Sequence, residues 1–319
     1  MSDVTVQSIP APPTPTSWTQ FERAELRVRQ SYRYEYSSPI HDLTQRLMML
    51  PPQQHGVQRL LQHDLQVQGA DDVVTQIESD RFGNSVYQVS SSTVRKAVEF
   101  TAEFTVERYA ERARLRVPRD PGTFVYLART ALTAASAPIQ EAAQAIAVEI
   151  DGTPVNELAD EVLPDGAGSL DDDGVRQWAA AQCGGVWAAR AITYQYGVTG
   201  VRTPAAMALH LGRGVCQDFA HLAIAILREL HVPVRYVSGH LLGEGAPHAW
   251  IEALLPDPDA RGEVCAVPYD PTHHVTPGLN YITVAVGRDY ADITPTSGTF
   301  RGVSGRFTAD KNAWIMELA

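Results

Sequence analysis

The stretch Gly212-Arg213-Gly214-Val215-Cys216, running on through Gln217 to Arg228, limits the fold of this chain more than any other. At helical period Cys216, Phe219, Ala220, Ala223, Ile224 and Leu227 share one face, while Leu222, Ala225 and Ile226 make the other sides apolar as well. A helix apolar all round has to be buried, so the rest of the chain must wrap around it. Cys216 opens that helix directly after two chain-breaking glycines. There the unpaired backbone N–H groups and the helix dipole stabilise negative charge. A thiol so placed is favoured as thiolate, the form that attacks a carbonyl carbon.

A nucleophilic cysteine needs a base to take its proton and a third group to orient that base. Both follow on strand-like runs. After Val234–Leu242 and a flexible Gly243-Glu244-Gly245-Ala246-Pro247 link, the run His248–Leu255 alternates, so that His248, Trp250 and Glu252 share one face. A further strand, Val264–Tyr269, ends in Asp270-Pro271-Thr272. Proline restricts the residue before it to an extended backbone, which helps to hold the Asp270 carboxylate in place. The order Cys216, His248, Asp270, with steps of 32 and 22 residues, suits a helix followed by neighbouring strands that bring one residue each to the same end of a sheet.

Gly214-Val215-Cys216-Gln217-Asp218-Phe219-Ala220-His221, then Ser238-Gly239, His248-Ala249-Trp250-Ile251-Glu252 and Asp270-Pro271-Thr272 resemble the core motifs of the transglutaminase-like superfamily. Gly287-Arg288-Asp289-Tyr290-Ala291-Asp292-Ile293-Thr294-Pro295 resembles the bacterial branch in particular. The resemblance is close from Trp178 to Pro295 and looser over the first hundred residues. It implies a papain-like α+β core, a central helix packed on an antiparallel sheet, with Cys216, His248 and Asp270 as the triad. It also implies a pocket in which Tyr194 helps to shape the oxyanion site, with Gln217, Trp250 and Tyr269 nearby. Tyr269 stands where many relatives carry a tryptophan shortly before Asp-Pro-Thr.

Composition removes several alternatives. A formal charge of −11, with no block of lysine or arginine, argues against nucleic acid, and no apolar run reaches membrane-spanning length. Three cysteines (Cys183, Cys216 and Cys265) are too few and too odd for a disulfide framework and fit a reducing compartment. The amino terminus lacks the basic and apolar regions of a secretory signal, so the cytoplasm is the expected address. Neither Cys-x-x-Cys nor His-x-x-x-His occurs, and the adjacent His273 and His274 face apart in extended chain; no metal and no cofactor is expected.

Along the chain, residues 1–22 are rich in Pro, Ser and Thr and read as a disordered leader. Residues 23–135 read as a small antiparallel β domain. Its strands are Leu26–Tyr36, Gln45–Leu50, Val73–Glu78, Ser85–Ser90 and Val94–Val106, with a hairpin turn at Asp80-Arg81-Phe82-Gly83-Asn84. Tyr32, Tyr34 and Tyr36 read as sheet packing. Residues 136–319 read as the catalytic core. Its helices start near Ala137, Val155 and Gly174, the last capped by the Asp171–Asp173 run, and a short one opens at Thr203-Pro204. Gly184-Gly185 is expected to weaken the third helix. Phe300–Phe307 and Asn312–Leu318 read as closing segments of the core, and Pro256–Asp259 as a polar loop able to alter access to the site. His221 and Asp218 read as structural, and Arg288 and Asp289 as a structural pair.

The chemistry expected is thiol acyl transfer on an amide or peptide bond of a peptide or protein substrate, most readily hydrolysis. Cross-linking to an amine and a non-catalytic scaffold that keeps the fold are the alternatives. Substrate identity and oligomeric state are not written in the sequence.

Overall fold

The computed structural model describes residues 17–110, 115–117, 125–163 and 170–319. Most of the expected leader, and the expected chain break at 164–169, lie outside the described residues.

The first part is built of strands β1 (Arg23–Glu35), β2 (Ile40–Leu47), β3 (Gln54–His55), β4 (Gln58–Asp71), β5 (Val74–Ser79) and β6 (Ser85–Tyr109). The two runs expected at 85–90 and 94–106 are one continuous 25-residue strand, and β1, β2, β4 and β5 all pair with it antiparallel. Alternation in β1 puts Ala24, Leu26, Val28 and Tyr32 inward, against Phe100, Phe104 and Val106 of β6. Strand β4 has no counterpart among the expected elements. Its sequence, QRLLQHDLQVQGAD, is mostly polar and its side chains are mostly exposed. What holds it is the backbone ladder to β6, which hydrophobic patterning does not report.

Next come β7 (Leu115–Val117), α1 (Ala137–Gly152), α2 (Val155–Val162), α3 (Asp172–Ala191), β8 (Thr193–Tyr194), α4 (Ala205–Leu211), β9 (Arg213–Gly214) and α5 (Cys216–Glu229). Asp171 caps α3 by accepting from the Gly174 amide at 2.9 Å. Thr203 does not cap α4; its Oγ1 accepts from the Gly200 amide instead, and Pro204 takes the cap position. Gly184 and Gly185 do not break α3. A Cβ at Gly184 would lie 2.6 Å from Leu227 of α5, and one at Gly185 would lie 2.9 Å from the Tyr269 ring, so the pair lets α3 approach its neighbours closely.

The chain then makes β10 (Val234–Leu241), β11 (Pro247–Pro256), β12 (Val264–Tyr269) and β13 (Tyr281–Gly287), which with β7 form a sheet in the order β13-β10-β11-β12-β7. Helix α5 lies in the core between this sheet and helices α1, α3 and α4. Twelve of its residues, from Gln217 to Arg228, are buried. Leu222, Ile224, Ile226 and Leu227 are fully enclosed, each stabilising the fold by about 1.5–3 kcal/mol. Arg228 ends the buried stretch by donating to the carbonyls of Tyr126 and Arg288 and to Thr133 Oγ1.

The expected division at residue 136 does not hold at the carboxyl end. Strands β14 (Thr296–Arg301) and β15 (Arg306–Leu318) leave the core and join the first sheet, β14 beside β2 and β15 beside β1 along nearly its whole length. Alternation marks such residues as strand but cannot say which sheet edge will accept them. The two sheets share hydrophobic surface, with Leu242, Leu279, Ile282 and Val284 packing among the side chains of the first.

Two side-chain amides dock the first sheet onto β13. Gln58 donates to the Thr283 carbonyl at 2.7 Å and accepts from its amide at 2.9 Å. Asn84 does the same to Val286, at 2.7 and 2.8 Å. Both mimic a neighbouring strand along a strand that is otherwise at the edge. The Asp80–Asn84 turn is therefore more than a hairpin. Asp80 accepts from the amides of Phe82 and Asn84 and from Asn84 Nδ2, and so aims Asn84 at the core.

Candidate active site

Cys216 is the first residue of α5. The amides of Asp218 and Phe219 return to the Val215 carbonyl, so the Cys216 and Gln217 amides, ahead of that first turn, are the ones with no intrahelical acceptor. Asp218 braces the turn: its Oδ2 accepts from the Val215 amide at 2.7 Å and from Thr199 Oγ1 at 2.6 Å. Gly214 leaves the space this needs, since a Cβ there would lie 2.6 Å from the Asp218 side chain. Burial raises Asp218 above the ordinary carboxylate range, which moderates the negative charge it sets beside the thiol.

His248 is the second residue of β11, opposite Gly239 of β10. That glycine is sterically required, because a Cβ would sit 1.9 Å from the Ile282 carbonyl oxygen and 2.7 Å from the Trp250 ring. Asp270 ends the β12 arm, fully buried, and His248 Nε2 donates to its Oδ2 at 2.7 Å. The same oxygen accepts from Tyr281 Oη at 2.7 Å and from His273 Nδ1 at 2.8 Å, while Oδ1 accepts from the Thr272 amide at 2.8 Å. A carboxylate with this many donors stays ionised: burial opposes its charge, but the bonds to His248, His273 and Tyr281 hold it well below the ordinary range.

His248 is affected in the opposite sense. Burial alone would favour the neutral ring, yet hydrogen bonds to Asp270, Cys216 and Glu244, with the negative charge of the sulfur, raise it strongly. With Nε2 committed to Asp270, Nδ1 faces Glu244 Oε2 at 3.1 Å and is the nitrogen left for the thiol. The structure thus places His248 between Asp270 and the Cys216 side chain at the start of α5, so the three residues expected together lie at one site.

The expected pocket residues divide. Tyr194 lies in β8, paired with Gly214 two residues before the cysteine, 55% exposed and within electrostatic reach of Cys216 and His248. Gln217 is buried in the first turn of α5. Trp250, 1% exposed, lies beneath the site rather than lining it, stacked on His248 at 6.2 Å and edge-on to Tyr281 at 5.4 Å. It is on the face expected from alternation, but that face is the interior. Tyr269 packs on Gly185 of α3 and edge-on to His274. The Pro256–Asp259 loop lies at the far end of β11 from His248, roughly 25 Å away by strand rise, and so has no bearing on access.

Residues outside the triad also behave differently from what spacing alone conveys. His221 is fully buried and its Nε2 accepts from the Tyr290 amide, the structural role expected of it. Arg288 pairs with Asp292 at 2.8 and 2.9 Å, not with Asp289, which caps the turn at Tyr290–Ile293. Spacing does not mark Glu244 or His273 for the site. Both sit at its mouth, Glu244 held there because Lys311 of β15 donates to the Glu244 and Ala246 carbonyls. His273 two residues beyond Asp-Pro was the available signal for one of them; nothing local marks Glu244.

Family models match this chain in two places: the transglutaminase-like superfamily core over residues 171–262, which includes Cys216 and His248, and the bacterial transglutaminase-like N-terminal region over residues 26–107. The chain belongs to the transglutaminase-like superfamily. Among relatives, an uncharacterized protein of Mycobacterium leprae is 43% identical over 126 residues, 36% of this chain and 42% of that protein. An uncharacterized protein of Mycobacterium tuberculosis is 39% identical over 117 residues, 33% of this chain and 37% of that one. The match thus spans less than half the length of these relatives. A solved structure described as a cysteine protease candidate from Cytophaga hutchinsonii aligns over 92% of this chain and 91% of its own, with a TM-score of 0.65 at 19% identity. At that identity the likeness establishes the transglutaminase-like fold, from the first sheet through the core.

Proposed function

We propose that this protein is a cysteine-dependent acyl-transfer enzyme that hydrolyses an amide or peptide bond. The observation that carries the reading is the buried Asp270–His248 hydrogen bond, with the Cys216 side chain bonded to the same imidazole. In it, the Cys216 thiolate attacks the substrate carbonyl and the Cys216 backbone amide donates to the oxyanion. His248 gives its proton to the departing amine, then takes one from the water that cleaves the thioester. Asp270 keeps the proton-bearing nitrogen of His248 on the side away from the sulfur and supports the ring's charge.

Hydrolysis is favoured over amine transfer because the mouth is polar and open to water: the side chains of Glu244 and His273 are 36% and 42% exposed. The description of the Cytophaga neighbour as a protease candidate agrees with it. One feature favours the cross-linking alternative, since the Glu244 carboxylate would attract a primary amine. A net charge of −11 suits basic or neutral peptides over acidic ones, and three free cysteines suit a reducing compartment. The deciding experiment incubates wild type and Cys216→Ala with a peptide library containing glutamine, with and without an added amine. Peptide cleavage that disappears in the variant is expected. Ammonia release with amine incorporation and no cleavage would replace hydrolysis by transfer, and no turnover in either would leave a scaffold.

A further inference from the structure

We propose that the mouth of this site is a zinc site, formed by Glu244, His248 and His273, through which the metal, by taking the imidazole beside Cys216, reversibly shuts the nucleophile off. The regulatory half of the inference rests on the thiol chemistry proposed above; the binding half does not.

One ligand atom from each of Glu244, His248 and His273 lies within 4.8 Å of the others. His248 Nδ1 is 3.1 Å from Glu244 Oε2, and His273 Nε2 is 3.5 Å from Glu244 Oε1. The orientation of both rings is fixed from behind by one carboxylate oxygen: Asp270 Oδ2 accepts from His248 Nε2 at 2.7 Å and from His273 Nδ1 at 2.8 Å. Each ring therefore turns its other nitrogen, the one that carries a lone pair in neutral imidazole, toward Glu244. A carboxylate behind each imidazole is the arrangement that fixes tautomer and raises basicity in metal-binding histidines. Here one aspartate serves both, itself held by Tyr281 and the Thr272 amide.

Three electron-pair donors converging on one point repel unless something positive sits among them. A proton shared by His248 and Glu244 fills that role in the resting site, and a divalent cation can replace it, with the protons passing to buffer. The donor on the loop is not loose, because Lys311 pins the carbonyls on either side of Gly245. Glu244 and His273 are partly exposed while His248 is enclosed, so the ion enters from the mouth. Two imidazoles and a carboxylate, with water in the fourth position, form a donor set for zinc and a poor one for magnesium or calcium, which seek oxygen. Bound there, the metal takes Nδ1 of His248, the atom that exchanges the proton in an acyl transfer.

The donors are spread over 244, 248 and 273, which is why no short ligand motif shows in the sequence.

The full chain is tested by equilibrium dialysis against zinc, and by the rate at which iodoacetamide labels Cys216, with Cys183 as reference, in zinc and in EDTA. One zinc per chain is expected, with Cys216 protected at least tenfold, protection reversed by EDTA, and none given by magnesium. His273→Ala and Glu244→Gln should each weaken zinc binding by about 10–100-fold or more, and both replace part-exposed side chains, so folding is checked by circular dichroism alone. Cys216→Ser should still bind zinc through Glu244, His248 and His273. Binding that His273→Ala and Glu244→Gln leave unchanged, or no stoichiometric binding, overturns the site. If zinc binds as described but Cys216 in EDTA labels no faster than Cys183, the metal site stands and the catalytic reading fails.

Discussion

Asp270→Asn isolates the contribution of one charge to this site. The carboxylate has Oδ1 turned to the Thr272 amide and Oδ2 turned to three donors: His248, His273 and Tyr281. Asparagine can keep the first set only by placing its NH2 among the three donors, or the second only by turning that NH2 on the backbone amide. Either way it loses the negative charge that favours imidazolium at His248. A hydrogen bond to a charged partner is worth about 1.5–3 kcal/mol. At 1.4 kcal/mol per decade, the equilibrium constant for keeping His248 charged beside Cys216 falls by about 10–150-fold. Glu244 remains beside His248 but is part-exposed and screened, which holds the effect toward the lower half of that range. The assay is the second-order rate of Cys216 alkylation across pH 4–9, read peptide by peptide by mass spectrometry with Cys183 as internal reference and near-UV circular dichroism as the check on folding. The rate near neutral pH should fall. A folded variant with the wild-type rate and profile would show that Asp270 does not control the ion pair, and the triad argument would fail at its orienting member.

Gly239→Ala should be among the most destabilising single methyl additions in the chain. The methyl meets the Ile282 backbone oxygen, which β10–β13 pairing holds in place, so a loss at or above the top of the ~1–3 kcal/mol overpacking range is expected in thermal unfolding. Arg228→Met keeps the apolar stem but leaves Tyr126 O, Arg288 O and Thr133 Oγ1 without their donor inside the core; urea unfolding should show a loss of about 3 kcal/mol or more. Stability should peak near pH 6.5. Burial holds His221 down at about 3 and His240 well below its ordinary value, so both stay neutral in the fold. Below about pH 6.5 the unfolded chain takes up these two protons and the native one does not, so stability falls with acid by up to ~2.7 kcal/mol per pH unit. His248, raised in the fold, acts in the other direction: its contribution is full below about pH 6.5 and is lost as pH rises through its folded value, by up to ~1.4 kcal/mol per unit. Urea titrations from pH 5 to 8 that give a flat profile would contradict both assignments.

Several elements were legible because their signals are local. Helix α5 announces itself by being apolar on every side, and the glycines before it mark where it starts. His248 and Asp270 are found by alternation and by the proline that follows the aspartate. The Asp171 cap and the hairpin at Asp80–Asn84 rest on side chains bonding to their own backbone a few residues away. Other features belong to pairs distant in the chain. Strand β4 is polar because it faces water, and only its ladder to β6 makes it a strand. Gly184 and Gly185 read as a weak point until Leu227 and Tyr269 are seen lying against them.

The sequence by itself determined the buried helix, the cysteine at its start and the order of the histidine and aspartate that follow it, because each depends on residues within one turn or one strand. Only the tertiary structure decided that β14 and β15 return to the first sheet and that Trp250 supports the site from below. It also decided that Lys311 holds Glu244 over His248, close to His273. A hydrophobic pattern says that a residue is buried or exposed; it does not say against what, since the same alternating strand satisfies its backbone equally well at any free edge of matching register.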